Sequence, residues 1–224
     1  EEKLQAAEKA IAAASRGAEP DDRTRDLLGQ IAVARATLAL TRYEPEAMST
    51  QARRALELLS PGNLVFRFSA TWTMGMACHF RGERAAAGRA FAEALSIAQS
   101  CGYVNGTVLA TTCVGQIREL ENQLSPAADA YRHALQLTGE YVPPSAGEVH
   151  LGLARILYEW NDVDAAEHHG QQSLHLARQY DGVVDRRILS ELFLARVRLA
   201  RGDVGGAAAM LAETAQSVRE NNFV

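Results

Sequence analysis

A short turn recurs along the chain at a nearly constant interval: Thr41-Arg42-Tyr43-Glu44-Pro45, Phe80-Arg81-Gly82-Glu83, Leu120-Glu121-Asn122-Gln123, Glu159-Trp160-Asn161-Asp162 and Ala200-Arg201-Gly202-Asp203. The centres Tyr43, Gly82, Asn122, Asn161 and Gly202 are 39, 40, 39 and 41 residues apart. Four of the five are Gly or Asn, which accept the left-handed backbone that closes a helix. A period of this length marks a unit too small to bury its own apolar face, so the units must stack on one another.

Matching columns flank the turns. Seven residues before each centre stand Ala36, Gly75, Gly115, Ala154 and Ala195, all small, as two closely approaching helix backbones require. Five residues after it come Met48, Ala87, Ala127, Ala166 and Ala207, and twelve after come Ala55, Ala94, Ala134, Ser173 and Thr214. Nine after come Ala52, Phe91, Tyr131, Gly170 and Leu211, followed four later by Leu56, Leu95, Leu135, Leu174 and Ala215. These spacings place small and large residues on one helical stripe.

Helix-start signals agree with the columns. Ser125-Pro126 predicts a hydroxyl cap ahead of a first-turn proline, Asn161 to Asp164 resembles a capping box, and Asp203 is placed to cap the last helix. Breaker-rich segments separate the repeats at Ser60-Pro61-Gly62-Asn63, Cys101-Gly102, Tyr141-Val142-Pro143-Pro144 and Asp181-Gly182. Ala7, Ala10 and Ile11 echo Ala52, Ala55 and Leu56, so Leu4 to Ala14 reads as the second half of a truncated repeat. The expected fold is all-α: a right-handed superhelical solenoid with a leading helix at 4–14 and hairpins at about 22–60, 64–100, 104–139, 145–180 and 185–220. The chain reads as one solenoid domain, 1–224, excised from a longer protein, because it starts at Glu1 and stops at Asn221-Asn222-Phe223-Val224. Its terminal helices are then expected to be the least protected.

With 47% hydrophobic and 22% charged residues, 224 residues suffice for a core. A net charge of -4, without a run of like charges, argues against direct nucleic-acid binding. Cys78, Cys101 and Cys113 form no Cys-x-x-Cys pair and fit reduced thiols in a bacterial cytoplasm. No apolar run is long enough to cross a membrane, and neither a signal-peptide profile nor membrane association is expected.

The column order of Gly/Ala, Ala, Phe/Tyr and Ala resembles the tetratricopeptide signature on a lengthened repeat; HEAT and armadillo units share the period. More specifically, the run from Gly152 to His169, with Leu157-Tyr158-Glu159-Trp160-Asn161-Asp162 at its centre, resembles MalT-like regulators, the large LuxR-family transcriptional activators. Ala52 to Leu59, Arg89 to Ala94 and Leu194 to Asp203 support the resemblance. It implies a signal-transduction ATPase in which this stretch is the sensor, between a nucleotide-binding switch and a C-terminal helix-turn-helix. The sequence contains no Gly-x4-Gly-Lys-Ser/Thr loop, so no cofactor is expected here and ATP would belong to an N-terminal domain.

Neither a nucleophile with its base nor a pair of tuned carboxylates stands out, and no catalytic residue is predicted. Asp164, His168, Gln172 and His175 share one helix face, but the histidines are two turns apart and no metal is predicted. Trp160 is expected to be wedged beneath its loop. The first helix of each hairpin should line the inner wall, offering Trp72, Met76, His79, Gln116, Glu119, Arg155, Tyr158 and Arg196 to a small-molecule effector or a protein partner. Other domains of the same regulator are further expected partners. Val33, Thr37, Trp72, Met76, Thr112 and Gln116 stand where carboxylate-clamp cochaperones carry Lys and Asn, which weakens that reading. Two alternatives stay open: a free-standing adaptor that binds a protein or peptide, and an ion-pair ladder in which the arginines merely satisfy Glu119 and Glu148.

Overall fold

A computed structural model describes residues 1–14, 21–139, 143, 145–179 and 184–220. The expected loop at Asp181-Gly182 and the terminal Asn221 to Val224 lie outside them, as does most of Tyr141 to Pro144. The described residues form eleven helices and no strand: α1 (Glu2–Ala14), α2 (Asp22–Thr41), α3 (Pro45–Leu58), α4 (Leu64–Phe80), α5 (Arg84–Ser100), α6 (Val104–Leu120), α7 (Leu124–Thr138), α8 (Ala146–Glu159), α9 (Val163–Gln179), α10 (Val184–Ala200) and α11 (Val204–Glu220). One leading helix and ten paired helices, as the columns require, are what is observed.

Each pair is closed by the same backbone device. At the five turn centres φ is positive: 54° at Tyr43, 75° at Gly82, 60° at Asn122, 62° at Asn161 and 81° at Gly202. The following N–H reaches back five residues, as Glu83 to the Cys78 carbonyl at 2.9 Å and Asp162 to that of Leu157 at 2.9 Å. This double-bonded closure satisfies carbonyls the helix end would otherwise leave bare. Tyr43 adopts the same conformation without glycine's freedom, and its ring rests 5.4 Å from that of Phe80.

Two compact units make up the chain, residues 1–117 and 118–224. In the first, α2, α3 and α4 meet around Ala32, Val33, Ala55, Leu59 and Ala70, while α4, α5 and α6 meet around Cys78, Ala87, Phe91, Cys113 and Ile117. In the second, Leu151 and Ala154 of α8 and Ala166 of α9 pack against Phe193 and Val197 of α10. The small columns are buried almost completely: Ala36, Ala154, Met48, Ala87, Ala127, Ala166, Ala55, Ala94, Ala134 and Ser173 all have no accessible surface. Where a column holds glycine, an aromatic ring occupies the space of the missing side chain. A Cβ on Gly75 would lie 2.5 Å from the Phe91 ring, and one on Gly152 would lie 2.4 Å from Cζ of Tyr131.

Three local expectations need correction. Ser125 is not a cap, because α7 starts one residue earlier with Gln123 at the N-cap and no side-chain cap. The expected capping box does not start at Asn161, whose φ of 62° makes it the turn centre; Asp162 caps instead, accepting from the Ala165 N–H at 3.2 Å, while Asp203 caps as expected, accepting from the Gly206 N–H at 2.8 Å. Ala7 and Ala10 are exposed, whereas the residues they echo are buried. Glu8 ties α1 down by reaching Arg35 at 2.7 Å and Arg54 at 2.6 Å.

Candidate functional site

Trp72, Met76 and His79 on α4 and Gln116 on α6 lie in the first unit. Helical spacing puts Trp72 and Met76 one turn apart on a common stripe. Both are half-buried and packed into the core. Trp72 bridges the cluster of Cys78, Phe91 and Cys113 and the cluster of Phe68, Ala94, Ala98 and Ala110. Its indole N–H donates to Sγ of Cys113 at 3.2 Å. Met76 likewise touches the Phe91 cluster and that of Ala39, Met48 and Ala77. Burial holds the His79 imidazole below its usual pKa, so it stays neutral at physiological pH. Val33 and Thr112, two of the clamp-equivalent positions, are buried, and the Thr112 hydroxyl donates to the Val108 carbonyl at 2.7 Å.

Glu119, Arg155, Tyr158 and Arg196 lie in the second unit, and there the structure joins them in two sets. Glu119, near the C-terminal end of α6, receives Arg155 of α8 through Nε at 2.6 Å and Nη2 at 3.0 Å. The buried Tyr131 hydroxyl donates to the same carboxylate at 2.9 Å. Burial first, and then the Glu119 charge, push the Tyr131 phenol above its ordinary range, so it acts only as a donor. Burial opposes the charge of Arg155, but the fork-shaped contact with Glu119 outweighs it and keeps the guanidinium ionised.

In the second set, the Arg196 guanidinium carbon sits 4.2 Å from the centroid of the Tyr158 ring. The ring meets Phe193 nearly edge-on at 6.1 Å, and Arg196 donates to Glu159 at 3.1 Å. The Arg196 side chain is still 55% exposed, against 34% for Arg155. Arg155 therefore has its two best-placed donors committed, whereas Arg196 presents an aromatic-backed cation to solvent. Such a patch can hydrogen-bond a carboxylate, a phosphate or a sugar hydroxyl while offering a flat apolar edge beside it.

The columns alone did not disclose how regular the ion pairing is. Acidic residues reach arginines roughly one repeat onward: Glu119 to Arg155, Glu148 to Arg186 at 3.1 Å, Glu159 to Arg196, and Asp164 to Arg201, separated by 36, 38, 37 and 37 residues. Arg201 also meets Glu167 at 2.9 Å. An acidic residue three or four positions short of the local repeat before an arginine is the signal that reveals them. Trp160 differs from expectation: at the C-cap of α8 its ring is 43% exposed, with Arg132 of α7 lying 6.0 Å from the centroid.

Also missed was a contact between His150 of α8 and His169 of α9, whose Nδ1 atoms are 2.8 Å apart. Among the described residues no group of three or more His, Cys, Asp or Glu is arranged to hold a metal ion. His175 contacts Gln179 at 3.0 Å. No helix among the described residues is long and apolar enough to cross a membrane.

Solved structures share this fold at low identity. BtubC (BKLC) from P. vanneervenii is 18% identical and superposes with a TM-score of 0.71, covering 98% of this chain and 91% of its own. The apo form of RapI is 10% identical with a TM-score of 0.74, over 97% of this chain and 77% of its own. The Rap conjugation gene regulator of the plasmid pLS20, solved in complex with the Phr* peptide, is 12% identical with a TM-score of 0.72, over 89% of this chain and 56% of its own. No curated protein matches. The family of MalT-like TPR regions matches residues 29–224, most of the chain. With its paired helices, turn closures and small-residue columns, the chain belongs to the family of MalT-like TPR regions.

Proposed function

We propose that this domain is the effector-sensing and protein-interaction region of a MalT-like, LuxR-family transcriptional regulator in the bacterial cytoplasm, and that it receives its effector on the first helices of the second unit's hairpins, α8 and α10. The observation that carries the reading is the Arg196 guanidinium stacked on Tyr158 and more than half exposed, in a family whose members are MalT-like TPR regions. The peptide complex of a neighbour with this fold supports a polar ligand of peptide size. Within the first unit, Trp72, Met76, His79 and Gln116 offer a less polar candidate surface of their own, and within the second Glu119 with Arg155 add a charged part to that of Tyr158 and Arg196. The phosphate-binding loop is not in this sequence, so ATP would be handled by another domain of the same regulator.

The test is a thermal-shift screen of this chain against oligosaccharides and short acidic peptides, followed by calorimetry on whatever binds. Tyr158→Ala and Arg196→Ala should each weaken that ligand about tenfold, since roughly 1.4 kcal/mol corresponds to one decade. A ligand indifferent to both changes would refute the assignment of the surface. The second reading, a free-standing adaptor, draws on the same fold. It gains the field if the gene carries neither a nucleotide-binding segment nor a helix-turn-helix beside this region.

A further inference from the structure

The α8/α9 hairpin departs from the repeat at one cross-helix position. Eleven residues before and eight after the turn centre, the five hairpins hold Ala32 with Gln51, Thr71 with Ala90, Thr111 with Ala130, His150 with His169, and Glu191 with Met210. Only α8/α9 places two titratable rings there. The rings meet end-on, with Nδ1 atoms 2.8 Å apart, centroids 5.1 Å apart and planes inclined by 36°. Facing lone pairs cannot converge on one metal ion, but they can share one hydrogen.

The hydrogen count determines what the bridge tolerates. In the neutral pair one ring carries its hydrogen on Nδ1 and donates, while the other carries its hydrogen on Nε2 and accepts. A first added proton goes to the free Nε2 of the donor, and the bridge persists with its donor strengthened by charge. A second proton has to go to the accepting Nδ1, where it meets the donor's N–H, and the bridge is lost between two adjacent cations.

The surroundings add to that penalty. From α9 the His168 ring meets His169 edge-on at 5.7 Å, and from α7 Arg132 directs its positive charge at His169. Asp129 partly compensates Arg132, at 3.1 Å. Burial, and then the neighbouring histidines, lower His150 to about 4, and burial followed by His168 and Arg132 lowers His169 as well.

We propose that the His150–His169 bridge is a proton-operated latch: it holds α8 to α9 with at most one added proton and releases when both rings are charged, loosening the helix that carries Arg155 and Tyr158. Both folded-state pKa values lie below the unfolded value, so the unfolded chain takes up protons first. The stabilisation is complete above pH of about 6.5 and is lost as pH falls from there toward about 4.

Nuclear magnetic resonance of the histidine Cε1–H signals in the intact chain, from pH 7.5 to 4, tests this directly. His150 should titrate more than one unit below a free histidine, and amide protection factors, corrected for the slower intrinsic exchange in acid, should fall in α8 and α9 over the same range before they fall in α4 and α5. His169→Gln, which keeps a hydrogen-bonding group but takes no second proton, should flatten the fall in melting temperature with acid. Ordinary titration of His150 near 6.5, amide protection that falls uniformly along the chain, or equal acid sensitivity in His169→Gln would each overturn the latch. So would a large stabilisation by zinc or copper ions that His150→Leu abolishes, which would make the pair a metal site. If His169→Gln does not fold, the titration and exchange of the unaltered chain decide.

Discussion

The contact between Gly152 and Tyr131 gives the sharpest test of the packing, because a single methyl group should reverse an otherwise favourable substitution. Replacing a mid-helix glycine by alanine normally stabilises by about 1 kcal/mol through backbone entropy and helix propensity. At Gly152 the added Cβ would lie 2.4 Å from Cζ of Tyr131, 2.5 Å from Cε2 and 2.9 Å from Cε1. Carbon atoms in contact prefer about 3.5 to 4.0 Å, so the ring or the helix must move by roughly 1 Å. The ring has nowhere to go. It has no accessible surface, and its hydroxyl is tied to Glu119 at 2.9 Å.

Overpacking of this kind costs about 1 to 3 kcal/mol, and drawing the hydroxyl away from a carboxylate costs about 1.5 to 3 more. Set against the propensity gain, Gly152→Ala should destabilise by about 1.5 to 5 kcal/mol. Urea denaturation followed by circular dichroism measures it, with Gly205→Ala as the control, since nothing lies within 4 Å of a Cβ there. Gly205→Ala should be neutral or mildly stabilising. In a Tyr131→Ala background, Gly152→Ala should change sign and stabilise. If Gly152→Ala in the unaltered chain is as stable as the parent, the ring is not held where its contacts place it and the argument fails.

Two further outcomes follow from the ion pairs and the turns. Arg155→Ala removes two charge-assisted donors from the partly buried Glu119 carboxylate and leaves it the Tyr131 hydroxyl, which should cost about 2 to 4 kcal/mol, whereas Arg196→Ala breaks a pair exposed on both sides and should cost less than about 1 kcal/mol. Equal losses in thermal melts would show that the two arginines do not differ as their surroundings imply. At the turn centre with φ of 62°, Asn161→Ala should lose about 1 to 2 kcal/mol, while Asn161→Gly should lose nothing measurable by chemical denaturation.

Much of this architecture was present in the order of the residues. A left-handed helix closure is a local property of one residue and its neighbours, so Gly82, Asn122, Asn161 and Gly202 declared it by their type. Tyr43 was found only by its place in the period. The buried columns were legible for a related reason: a stripe that recurs at helical spacing in five units has one consistent use, as the close-packed side of a hairpin. That logic failed at Ala7 and Ala10, where the pattern continues but both residues are exposed.

The candidate surface was only half legible. Periodicity assigned Trp72 and Met76 to the inner stripe of α4, yet whether such a residue meets solvent or core depends on the size of its neighbours, and Trp72 finds Cys113 and both adjoining clusters. The sequence by itself determined which residues turn the chain, which small residues let helices approach, and therefore the all-helical repeat and its family. The tertiary structure decided which charges meet. Glu119 and Arg155 are 36 residues apart and His150 and His169 are 19 apart, on different helices, so their pairing follows from the offset between packed helices. That offset is set by side-chain volumes such as Tyr131 seated on Gly152, a three-dimensional fit to which no single stretch of sequence refers.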